Sequence, residues 1–148
     1  MDDLARRIAA ERENVERTLA CLDEALARRP PGRIELAAIA AYLQNVYNGM
    51  ENVIKQEVRG RGGEMPSGPS WHKDLLELAV SMKLLSAEMG TDLYEYLAFR
   101  HFFVHGYALM LREEDLLPLA EKARGVWERF LREAEGRSPS RPGQPGRT

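Results

Sequence analysis

Apolar residues recur at intervals of three and four along most of the chain, the spacing that lines them up on one face of an α-helix. From about Asp2 to Arg28 the stripe is Leu4, Ile8, Val15, Leu19, Leu22 and Leu26, and it stops at Arg29-Pro30-Pro31-Gly32, where proline forbids continuation. From about Arg33 to Val58 it is Leu36, Ala40, Leu43, Tyr47, Met50 and Ile54, broken by Arg59-Gly60-Arg61-Gly62-Gly63 and a long loop through Pro69. Ser70 predicts the N-cap of a third helix, whose seam of Trp71, Leu75, Leu78, Met82, Leu85 and Met89 reaches Gly90. Thr91 and Asp92 open a fourth helix running to about Arg112. Asp115 opens a fifth, with Leu116, Leu119, Ala123, Val126 or Trp127, and Phe130 facing inward, that ends near Gly136. Short connections between long amphipathic helices favour antiparallel neighbours, so the pattern predicts an all-α, up-and-down bundle of four to five helices over residues 1–135. Residues 136–148 are Gly, Pro, Ser and Arg with almost nothing apolar, and are expected to form a disordered tail.

At 148 residues the chain has the size of one domain. Its 44% hydrophobic and 30% charged residues exclude both a disordered chain and a membrane bundle. No apolar run approaches the roughly 18 residues of a bilayer span. The start, Met1-Asp2-Asp3-Leu4-Ala5-Arg6, is unlike a signal peptide, so a cytoplasmic location without membrane contact is expected. Cys21 is the single cysteine, which excludes an internal disulfide, and its neighbours Leu19, Leu22 and Leu26 suggest a small core residue. A net charge of -2 provides no bulk positive field, so any nucleic-acid contact must be local.

The fourth helix departs from this amphipathic pattern. Its 16 residues from Tyr96 to Leu111 contain one charged side chain, Arg100, in a chain that is 30% charged. At 100° per residue, Leu93, Leu97, Arg100, Val104, Tyr107 and Leu111 form one stripe, and Ala98, His101, His105 and Ala108 form a second about 100° away. A helix apolar on every side is covered on every side, which predicts that one face meets the bundle and another a second copy of the chain. Arg100 then either pairs with an internal acid such as Glu51, Glu77 or Glu88, or awaits an anion; His101 and His105 are either satisfied core or interface histidines or groups with chemistry.

The segment Arg100-His101-Phe102-Phe103-Val104-His105-Gly106-Tyr107 reads R-x4-H-x-Y and resembles the signature of the HEPN ribonucleases, in particular the HepT-like toxins. Trp71-His72-Lys73-Asp74-Leu75-Leu76 and Leu93-Tyr94-Glu95-Tyr96-Leu97-Ala98-Phe99 are similar to the flanking blocks of that family, so the resemblance spans about residues 1–135. It implies a helical bundle that dimerises, brings Arg100 and His105 of both copies into one cleft, and cuts RNA without a metal or cofactor. His105 would move the proton, Arg100 would clamp the phosphate, and His101 would be auxiliary. It further implies that Tyr107 is modified by a partner nucleotidyltransferase antitoxin of the MntA type, which adds AMP from ATP and so blocks the cleft. The chain departs from the pattern at His101, where many HEPN nucleases carry Asn or Asp, and at Val104, where many close relatives carry a second basic residue. A noncatalytic HEPN subunit that binds nucleotide or the transferase is therefore one alternative. A metal-binding bundle using His101, His105 and His72 is another.

Overall fold

A computed structural model of the chain describes residues 2–105 and 111–136. They form five helices, α1 (Asp3–Leu26), α2 (Arg33–Gly60), α3 (Trp71–Ser81), α4 (Ala87–Val104) and α5 (Glu113–Gly136), with no strand among the described residues. The expected all-α bundle is what forms. Of the disordered tail expected over residues 136–148, Gly136 is the last residue of α5 and residues 137–148 lie outside the described residues.

Local chemistry explains the ends of the first two helices. The Asp2 carboxylate accepts the Ala5 N–H at 2.7 Å to cap α1, and the Glu35 carboxylate accepts the Gly32 N–H at 2.8 Å at the start of α2. The apolar stripe of α2 supplies Ala40, Leu43, Val46, Tyr47, Met50 and Ile54 to the core, and this helix touches all four others. Gly49 sits where α1 crosses, and a Cβ there would collide with Val15. Val15, Leu19 and Leu22 of α1 and Ala123, Val126, Trp127 and Phe130 of α5 close the core against it. Burying side chains of that size contributes about 1.5–3 kcal/mol each, which is what overcomes the ordering entropy of long helices.

Three expectations are corrected. The break between the third and fourth helices falls at 82–86 rather than at Gly90, with Lys83 in the left-handed region at φ 60° and Ser86 capping α4 by accepting the Met89 N–H at 3.1 Å. Glu133 of α5 fixes that cap by accepting the Ser86 backbone N–H at 2.6 Å and its hydroxyl at 3.2 Å. Gly90 lies inside α4 at its crossing with α3, where a Cβ would stand 2.7 Å from Val80 Cγ2. Ser70 precedes α3 but makes no capping bond, its hydroxyl donating instead to Asp74 at 3.3 Å. Secondly, α4 ends at Val104 and not near Arg112: His105 is its C-cap, glycine follows in the sequence, and Leu111 and Arg112 are not helical. Glycine disfavours a helix interior by about 1 kcal/mol, and α5 restarts at Glu113. Thirdly, Cys21 is exposed. It falls one residue before Leu22 and two after Leu19, which on a helix turns it about 100° and 200° from those buried positions.

No helix among the described residues is long and apolar enough to cross a membrane.

Candidate functional site

The first half of α4 is tied to α5. Leu93, Tyr96 and Leu97 are buried, and the Tyr96 hydroxyl donates to the Leu119 carbonyl at 2.7 Å. Burial pushes that hydroxyl well above its ordinary range, with the Glu95 and Asp92 carboxylates adding to the shift. Arg129 pairs with Asp92 at 2.5 Å and Lys122 with Glu95 at 2.9 Å along the same seam.

Towards its C-terminus α4 faces α2, and here Arg100 is half-buried with its Nε–H donating to Asn48 Oδ1 at 2.9 Å. Among the described residues no carboxylate lies within 4 Å of the guanidinium, so the internal ion pair to Glu51, Glu77 or Glu88 does not form. Glu51 is close by, only 4% exposed, but its carboxylate is engaged elsewhere. It accepts from Tyr47 Oη at 3.1 Å and from His72 Nδ1 at 2.6 Å, with Lys55 Nζ 3.9 Å away. The Tyr47 hydroxyl is held far above its usual range by burial first and by Glu51 second, while the nearby Arg100 charge opposes the shift. Trp71 completes the cluster by stacking on the His72 ring, with centroids 3.6 Å apart, under the Lys55 ammonium at 4.5 Å.

His105 caps the end of the same helix with its ring exposed, and the His101 ring lies 4.1 Å from it, tilted by 54°. In one chain, then, the predicted pair faces different ways, Arg100 turned to α2 and His105 tilted against His101 on the exposed side. Tyr107 lies outside the described residues. Around these groups Phe102 is 37% and Val104 45% exposed, with Ala98 and Tyr94 exposed on the preceding turns. A cavity of about 330 Å³ opens beside Phe99, Phe102 and Leu116 between α4 and α5.

His72, offered as a third ligand beside His101 and His105, is bound to Glu51 on α2. Among the described residues no group of three or more His, Cys, Asp or Glu side chains could hold a metal ion. What the sequence reading missed is the contribution of α2. Tyr47, Asn48 and Glu51 are polar residues set within its apolar stripe at helical spacing, a signal present in the sequence that pointed to something bound on that face.

A family model described as HepT-like protein matches residues 38–136, about two thirds of the chain, covering most of α2 and all of α3, α4 and α5. No curated protein and no solved structure matches.

Proposed function

The chain belongs to the HepT-like family, and from that premise we propose that it is a metal-independent endoribonuclease toxin acting as a homodimer. The observation that carries the reading is at Arg100: its Nε is satisfied, its terminal nitrogens have no partner among the described residues, and neither is buried. A half-buried guanidinium with its terminal nitrogens neither buried nor partnered among the described residues, and with no carboxylate against it, fits a phosphate. At the end of the same helix, facing away from it, is the exposed imidazole of His105.

The RNA 2′-hydroxyl attacks the adjacent phosphorus while its proton is removed, the P–O5′ bond breaks and the leaving oxygen is protonated. The products are a 2′,3′-cyclic phosphate and a 5′-hydroxyl. His105 serves as the proton-transfer group and Arg100 stabilises the charge gathering on the nonbridging oxygens, each worth about 10²- to 10⁴-fold in rate. His101, against the His105 ring, is auxiliary: it restricts the orientation of that imidazole. Because Arg100 and His105 diverge within one chain, the site is composite, with Arg100 of one copy facing His105 of the other. The exposed Tyr94, Ala98, Phe102 and Val104 supply the apolar face on which the two copies meet. Tyr107, seven residues after Arg100, is the site where a nucleotidyltransferase antitoxin of the MntA type adds AMP from ATP, placing a bulky anion on the arginine.

The purified chain is expected to cleave RNA in EDTA with those end groups. Arg100→Ala and His105→Ala should each reduce cleavage by at least about 10²-fold without changing helicity. Mixing the two inactive variants should restore activity, since a heterodimer regains one intact composite site. Undiminished cleavage in both variants rejects the site, and no recovery on mixing rejects its sharing. A mass gain in units of AMP on Tyr107, only with the partner and ATP, tests the regulation.

A further inference from the structure

We propose that Asn48 of α2 is the positioning residue for Arg100, an inference that rests on reading Arg100 as the phosphate clamp. A guanidinium has five N–H donors in one plane, and fixing the Nε–H fixes that plane. Asn48 Oδ1 takes the Nε–H at 2.9 Å, leaving the two terminal nitrogens, unpartnered among the described residues, as a fork spaced for two phosphate oxygens. The acceptor's chemistry matters as much as its place. A carboxylate here would hold the guanidinium equally well but neutralise the charge it must offer to phosphate; a neutral amide orients without neutralising. The carboxylate one turn further along α2, Glu51, is already occupied by Tyr47, His72 and Lys55, so it does not draw Arg100 inward.

The test uses Asn48→Leu, nearly the same size without the acceptor, Asn48→Ala as the variant most tolerant of a helix, and each combined with Arg100→Lys, whose ammonium has no Nε to hold. A hydrogen bond to a charged group is worth about ten- to hundredfold, so Asn48→Leu should lower kcat by that factor, with a smaller change in KM. In the Arg100→Lys background the same substitution should cost less than about twofold. Equal costs in both backgrounds assign Asn48 a merely structural role and overturn the proposal, as does full activity of Asn48→Leu. A second readout does not depend on catalysis. The Arg100 Nε–Hε signal in ¹⁵N NMR spectra, assigned by its loss in Arg100→Lys, should be protected from exchange in the wild type and unprotected in both Asn48 variants. Protection persisting in those variants overturns the proposal. If Arg100→Ala and His105→Ala leave cleavage intact, the ribonuclease reading fails by itself, and the NMR result still decides whether Asn48 holds the guanidinium.

Discussion

Replacing Glu51 by alanine should destabilise the fold more than any single change at the exposed end of α4. The Glu51 side chain is 5% exposed, and its carboxylate takes Tyr47 Oη at 3.1 Å and His72 Nδ1 at 2.6 Å with Lys55 Nζ 3.9 Å away. Alanine leaves a buried phenol hydroxyl and an imidazole N–H without their acceptor and removes the negative charge beside Lys55. Removing one partner from a buried charged group costs about 3–5 kcal/mol. The side chains of Lys55 and His72 are each 24% exposed, and water reaching them places the loss at the lower end, about 3 kcal/mol. For a chain of this length that is about 6–12 °C in Tm. Glu51→Gln keeps an acceptor oxygen and should cost about 1–2 kcal/mol. Urea unfolding followed by far-ultraviolet circular dichroism measures the whole bundle, and tryptophan fluorescence adds a local view because Trp71 stacks on His72. The midpoint is expected to fall at constant m-value. A loss below about 1 kcal/mol for Glu51→Ala would show that the cluster does not hold this carboxylate, and the account of why Arg100 escapes it would fall too.

Two further outcomes follow from packing and burial. The Tyr47 and Tyr96 hydroxyls titrate above their ordinary value in the folded chain, so above about pH 10 the unfolded chain releases protons that the folded one keeps, and stability falls as pH rises, by about 1.4 kcal/mol per pH unit for each tyrosine. Tyr47→Phe or Tyr96→Phe should each roughly halve that alkaline slope in urea titrations; an unchanged slope rejects the assignment. Gly90→Ala gains about 1 kcal/mol of helix propensity but sets its Cβ 2.7 Å from Val80 Cγ2, a stiff β-branched side chain, and the overpacking of about 1–3 kcal/mol prevails. Adding Val80→Ala should then cost less than it does in the wild type, and strict additivity in that cycle would refute the clash.

Much of this architecture is readable in one dimension because its causes are local. Prolines 30 and 31 end the first helical stripe, the glycines at 60, 62 and 63 end the second, and a spacing of three and four decides which residues of α2 and α5 are buried. The position of Cys21 was readable in the same way, since the angle to Leu19 and Leu22 turns it outward whatever its neighbours. The R-x4-H-x-Y segment was likewise legible, as was the shortage of charge around it.

The sequence by itself determined five helical stretches, most of their buried faces, and the family signature that begins at Arg100 of the fourth, because periodicity and stop residues act over a few positions. Only the tertiary structure decided where α3 yields to α4. The apolar spacing runs unbroken through Leu84, Leu85 and Met89, and the cap at Ser86 is fixed by Glu133, 47 residues away. It alone decided between an acid and an amide for Arg100. That choice was made by Asn48, 52 residues away in sequence, and by Tyr47 and His72, which had already claimed Glu51. Contacts of such range depend on how helices cross, and no local spacing encodes which of several polar side chains a crossing brings into reach.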